Sequence, residues 1–149
     1  RQMCIETGCA TGEAKTTGAY RLPCRAVIHT VGPVYAEHSP AEARRLLQAA
    51  YAHSLQQAVT HGLRTVVRMR AGLTQAFPSI SQGVYGYPKE AATHAALEQV
   101  RAFLRGAHGS QVVVAALTQI DLVVFCCFSP ADLAMYERIA PVYFAGHDP

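Results

Sequence analysis

The sequence lacks the marks of several common classes. No uninterrupted apolar run approaches the about 18 residues that a membrane helix needs, so no membrane association is expected. There is no C-x-x-C pair, which removes the usual zinc-knuckle and redox frameworks, and no metal is expected. G-x-G-x-x-G never follows a candidate strand, which argues against a dinucleotide fold. G-x-S-x-G is also missing: the only comparable serines, Ser79 and Ser81, stand as S-x-S, so a serine hydrolase using one of them with a histidine and Asp132 is a poor reading. Charge is sparse, at 15% of residues and +3 net, and its one cluster (Arg64, Arg68, Arg70) is too small for a nucleic-acid stripe. The N-terminal Arg1-Gln2-Met3-Cys4 has no signal-peptide core, so an intracellular protein, cytoplasmic or nuclear, is expected.

What is present is material for one packed domain. Half of the 149 residues are hydrophobic, enough for a core and too many for a disordered chain. The five cysteines (Cys4, Cys9, Cys24, Cys126, Cys127) are an odd number, and the adjacent pair would point to opposite faces of a strand. They are expected to be buried free thiols in a reducing compartment, and a thiol enzyme is disfavoured on the same ground.

Helix signals are strong. Ser39-Pro40-Ala41-Glu42 forms a capping box with proline at the first helical position, and Gly62 closes the segment. Leu47, Ala50, Tyr51, Ser54, Leu55 and Ala58 recur there at helical spacing. A second helix follows Tyr87-Pro88, with Ala92, Ala95, Ala96, Val100, Phe103 and Leu104 as its inner stripe, and stops near Gly106. A third opens at Ser129-Pro130-Ala131-Asp132 and is expected to bury Leu133, Tyr136, Ile139 and Ala140.

Short apolar runs alternate with these helices. The run 26–31 ends at Gly32-Pro33, and the run 76–80 leads into a glycine loop, with Pro78 requiring an edge or a bulge. The run 122–128 is apolar throughout, as expected of a strand covered on both faces. This alternation predicts an α/β layered domain. Two stretches, 67–75 and 111–119, each precede a core strand and end in Leu-Thr-Gln, as extra strands or insertions.

The segment from Ser79 to Ala92 has the layout strand, glycine loop, helix start. Backbone amides and a helix dipole converge at such a point, which suits a phosphate; an ordinary strand-to-helix turn would look the same. Gly83 and Gly86 let the backbone approach a ligand closely.

The loop Ile80-Ser81-Gln82-Gly83-Val84-Tyr85-Gly86-Tyr87-Pro88 resembles the I-S-T-G-V-Y-G-Y-P signature of MacroD-type macrodomains, with Gln82 where threonine is usual. Cys9 to Lys15 with Thr17, Tyr20, Leu22 and Pro23 is similar to that family's C-x-T-G-x-A block, with Ala19 replacing a glycine. Val27 to Pro33 is similar to its V-I-H-T-V-G-P strand, and Val123 to Ser129 with Asp132, Tyr136 and Pro141 to Phe144 resembles its closing strand and helix. The resemblance implies a three-layer α/β/α domain around a mixed central sheet, incomplete here. It implies binding of ADP-ribose or mono-ADP-ribosylated proteins by a monomer, without a cofactor. Ser81, Gln82, Gly83, Val84 and Tyr85 would wrap the diphosphate and distal ribose, and Phe128 would stack on adenine unless it is a plain core residue. His29 is expected to be a satisfied buried histidine rather than a catalytic one, and Lys15 and Tyr20 structural or surface residues.

Active relatives remove ADP-ribose from acidic side chains, or acetyl from O-acetyl-ADP-ribose, using an N-A-A-N strand end and a glycine-rich loop. No asparagine occurs anywhere in this sequence, so the catalytic residues are unknown. Residues 1–149 are therefore expected to be one macrodomain without its N-terminal strands and catalytic loop, with weak or undetectable hydrolysis and a non-catalytic reader as the alternative.

Overall fold

The computed structural model describes residues 8–63, 73–106 and 120–144. The elements run β1 (Ala14–Gly18), β2 (Ala26–Thr30), a 3-10 turn (Tyr35–Glu37), α1 (Pro40–Thr60), β3 (Leu73–Pro78), α2 (Lys89–Leu104), β4 (Ile120–Cys126) and α3 (Pro130–Phe144). The domain is α/β, with its strands in two two-stranded sheets among the described residues. β1 and β2 pair antiparallel, from Ala14 opposite Thr30 to Gly18 opposite Ala26. β3 and β4 pair parallel, with Phe77 opposite Phe125 and Pro78 opposite Cys126.

The capping signals act as the sequence indicates. The Glu42 amide donates to Ser39 Oγ at 3.3 Å, and Gly62 takes φ +53° just beyond α1. The inner stripe of α1 is buried from Ala43 to Ala58. Gly106 takes φ +73° after α2, and Ser129 Oγ accepts the Asp132 amide at 3.2 Å at the start of α3.

The core sits on one face of the β3–β4 ladder. Tyr51 of α1 packs on Phe77 with ring centroids 4.9 Å apart, Phe77 stacks on Phe125 at 6.2 Å, and Phe125 meets Tyr136 of α3 at 5.1 Å. A second cluster joins Leu97 of α2 to Tyr136 and Ile139 of α3.

Several expectations are corrected. β4 is not covered on both faces: Leu122, Val124 and Cys126 are exposed, while Val123 and Phe125 pack inward. Among the described residues α1 and α3 set their rings against the Phe77–Phe125 face alone. Leu104 and Leu133, expected in the core, are 37% and 49% exposed. Both line an apolar groove of about 380 Å³ between α2, α3 and β4, which no described side chain fills. The thiols are free but not all buried: Cys24 and Cys126 are exposed, Cys9 and Cys127 half-buried. Burial pushes the Cys127 thiol up.

The ends of β3 and β4 shift by two or three residues from those read in the sequence, and β2 ends one residue early. Pro78 is the last residue of β3, where its missing N–H matters least. Leu73, Thr74 and Gln75 belong to β3, whereas 67–72 and 111–119, the rest of the two awkward stretches, lie outside the described residues, as do Cys4 and the Arg64, Arg68, Arg70 cluster. Among the described residues no helix is long and apolar enough to cross a membrane, and no cluster of metal-ligating side chains occurs.

Candidate functional site

Because β3 and β4 are parallel, both emit their following loops at the same end. The β3 loop runs from Ser79 to Pro88 into α2, and the β4 loop passes Phe128 and Ser129 into α3. Two helix N-termini therefore open at the carboxyl ends of the strands, where orphan amides favour negative charge.

The glycine loop turns its carbonyls inward. Ser81 C=O accepts the Tyr87 amide at 3.0 Å, Gly83 C=O accepts Gly86 at 2.9 Å, and Tyr85 C=O accepts the Tyr35 amide at 2.9 Å. The amides of Gly83, Val84 and Tyr85 meet no protein acceptor among the described residues. Val84 is fully exposed and Tyr85 41% exposed, so these donors stand at the surface. Successive backbone amides without a protein partner can hold an anion without any cationic side chain.

Beside the loop lies a cleft of about 560 Å³ between β2 and β3. Ser81 and Tyr85 line it from the loop, His29, Thr30 and Gly32 from the β2 side, and Pro78 from β3. No lysine or arginine lines it among the described residues. His29 is bonded at Nε2 to Thr17 Oγ1 at 2.8 Å, but it is half-buried and lines the cleft rather than being fully buried as expected. Lys15 reaches Gly8 C=O at 2.9 Å, and Tyr20 is 94% exposed.

Of the sequence-predicted residues, Ser81 and Tyr85 face the cleft together. Gln82, Gly83 and Val84 do not line it, and Gln82 Nε2 is buried. Phe128 is 95% exposed, which overturns its reading as a core residue, and it lies outside the cleft lining at the same end of the ladder. Sequence reasoning missed Gly32. A Cβ built there would lie 2.1 Å from Ser81 Oγ and 2.5 Å from Ile80 Cγ2, so only glycine lets β2 and the loop meet. Gly32-Pro33 was legible only as a strand terminator.

The α3 side of the site is fastened by Asp132. Its carboxylate, buried, takes Lys89 Nζ at 2.5 Å and the Ser129 hydroxyl at 2.8 Å. The bonds from Lys89 and Ser129 hold the Asp132 carboxyl below the usual carboxylate range. A depressed carboxylate contributes stability above its unfolded pKa and loses it as pH falls through the folded one. Thermal unfolding of wild type is therefore expected to drop more steeply between about pH 5 and pH 3 than that of Asp132→Asn. Parallel pH profiles for the two proteins would contradict this role.

The family model described as Macro domain matches residues 1–96. The chain belongs to the macro domain family. It is 45% identical to a macro domain-containing protein of Chlorobaculum tepidum, over 92% of this chain and 69% of that protein. It is 38% identical to the ADP-ribose glycohydrolase MACROD2 of Xenopus laevis, over 92% of this chain and 28% of the relative. Among solved structures it resembles a Trypanosoma brucei macrodomain in complex with ADP-ribose, at 35% identity and TM-score 0.66, covering 87% of this chain and 46% of that one. This macro domain chain thus spans well under two thirds of the length of two of these three proteins.

Proposed function

We propose that this chain binds ADP-ribose, free or attached to a protein, through the glycine loop and the adjoining cleft. The observation that carries the reading is the run of unpaired amides at Gly83, Val84 and Tyr85 beside that cleft. The diphosphate would accept from those amides and from Ser81, and the Tyr85 ring would lie beside the distal ribose. Phe128 offers an open ring face to adenine. The likeness to a macrodomain solved with ADP-ribose supports this assignment.

Hydrolysis is the second reading, favoured by the relative named as an ADP-ribose glycohydrolase. Against it, the sequence has no asparagine to orient a water or substrate. We therefore read this chain as a single binding domain for mono-ADP-ribosylated proteins, with weak or undetectable turnover. Its free thiols suit an intracellular, reducing setting.

Calorimetric titration with ADP-ribose tests the proposal. Saturable binding is expected for wild type. Gly83→Glu is expected to weaken it at least about tenfold, because a carboxylate would sit against the diphosphate. A Cβ at Gly83 meets nothing within 4 Å, so the fold should survive the substitution. Absence of heat with folded wild type, or equal affinity in the variant, would refute the site.

A further inference from the structure

The two walls of the proposed ligand site are fixed in different ways. The glycine loop carries its own fasteners: the Tyr87 and Gly86 amides donate back to Ser81 and Gly83, and the Tyr35 amide holds the Tyr85 carbonyl. Tyr87 is buried, and its ring lies 4.7 Å from that of Tyr35. Phe128 has no such support. Its side chain is almost wholly exposed, so packing does not hold the ring and its direction depends on the backbone of the β4–α3 turn.

That turn is bound at Ser129. The Ser129 hydroxyl donates to Asp132 Oδ2 at 2.8 Å, its Oγ accepts the Asp132 amide at 3.2 Å, and its carbonyl accepts the Leu133 amide at 3.0 Å. The other carboxylate oxygen of Asp132 accepts Lys89 Nζ at 2.5 Å. Lys89 is the first residue of α2 and directly follows the glycine loop. The Asp132 carboxylate is buried, whereas the Lys89 side chain is half exposed. A buried carboxylate is costly to leave short of a donor, so this bridge resists replacement by solvent.

Further along, α2 and α3 are joined by other contacts. Thr93 Oγ1 lies 3.6 Å from Met135 Sδ, His94 Nδ1 meets the Tyr143 hydroxyl at 2.8 Å, and Leu97 packs with Tyr136 and Ile139. These join the bodies of the two helices. The Lys89–Asp132 pair instead ties their starts, where the glycine loop ends and the Phe128 turn is capped.

We propose that Asp132 is a positioning residue: by bridging Lys89 and Ser129 it holds Phe128 at a set distance from the Gly83 to Tyr85 amides, so that one ligand reaches both. Asp132 acts through Phe128 and does not itself touch the ligand. A ligand anchored at two places binds more tightly when both are already set. The inference rests on the ADP-ribose reading for the ligand, but the bridge holds the turn without one.

Fluorescence of the unliganded chain separates the two. The sequence has no tryptophan, so Phe128→Trp supplies a single fluorophore at the turn. In that background Lys89→Met is expected to lower the tryptophan anisotropy, and Lys89→Arg to keep it near the parent value. Ser129→Ala, which removes the other side-chain bond to the carboxylate, should lower it as well. Glu90→Gln breaks the exposed Glu90–Arg138 pair of the same seam and should leave it unchanged. With Phe128 in place, Lys89→Met is expected to weaken ADP-ribose binding about fivefold, the scale of ordering one side chain. Ribose 5-phosphate, which reaches only the glycine loop, should change by less than about twofold. Lys89→Met combined with Phe128→Ala should bind no more weakly than Phe128→Ala alone, because both act through one ring.

Unchanged anisotropy in Lys89→Met, or Lys89→Arg behaving like Lys89→Met, would overturn the proposal. Equal losses for ADP-ribose and ribose 5-phosphate, additive losses with Phe128→Ala, or a Lys89→Met chain that is unfolded by circular dichroism would do so too. If wild type binds no ADP-ribose but the anisotropy responds as stated, the positioning role stands and the ligand assignment fails.

Discussion

Phe77→Ala is expected to destabilise the domain by about 3–5 kcal/mol, the range for truncating a buried phenylalanine. Phe77 is 2% exposed and joins three elements: its ring meets Tyr51 of α1 and stacks on Phe125 of β4. Removing it leaves a cavity between a helix and a strand pair that share few other large rings. Total stability of a domain this size is about 5–15 kcal/mol, so the change consumes a large fraction of it. The melting temperature should fall by roughly 10–20 °C. Val124→Ser is the control, because Val124 lies on the opposite, open face of the same ladder. Its effect should stay within about 0.5 kcal/mol. Urea unfolding of both variants checks the pair; a Val124 effect as large as that of Phe77 would mean that both faces are covered.

The same one-sided burial explains where sequence reading ended. Helix α1 was legible almost residue by residue, because Ser39, Pro40 and Gly62 are local signals whose meaning does not depend on the rest of the fold. Periodicity likewise gave most of the stripe on α2, from Ala92 to Phe103. It failed at Leu104 and Leu133, where helical spacing points toward a neighbour that no described residue provides. β4 failed for a related reason. Its composition is that of a strand buried on both faces, yet Leu122, Val124 and Cys126 meet no packing layer among the described residues. β1 left no mark at all, since Ala14-Lys15-Thr16-Thr17-Gly18 is short and largely polar.

The site divides in the same way. The identity of the glycine loop and its place between strand and helix are sequence properties, and both appear as expected. Which amides are free is not, because that depends on Tyr35 and Tyr87 taking up the loop carbonyls. Nor could spacing say that Gln82 faces inward while Ser81, one residue earlier, faces the cleft. The positive φ at Ser81 sets that alternation.

Gly32→Val should remove both ligand binding and part of the stability. The strand β2 leaves its sheet at Val31 and passes Gly32 directly beneath the loop, where the space for a side chain is already taken by Ser81 Oγ and Ile80 Cγ2. Ser81 alone could rotate away. Ile80 has less freedom, because it is itself buried in the core cluster with Tyr51 and Phe77. Valine therefore has to push the loop outward or bend β2, and overpacking of this kind costs about 1–3 kcal/mol. The displacement falls on the turn whose φ is already strained, so the loop from Gly83 to Tyr85 is expected to move before the core unfolds. Binding is accordingly expected to disappear under conditions where the variant is still folded, as judged by circular dichroism and by titration with ADP-ribose. Gly83→Glu acts by charge on an undisturbed loop, whereas Gly32→Val acts by volume, so added salt should recover part of the first defect and none of the second. A Gly32→Val protein with wild-type affinity and wild-type urea midpoint would show that β2 and the loop do not depend on that close approach.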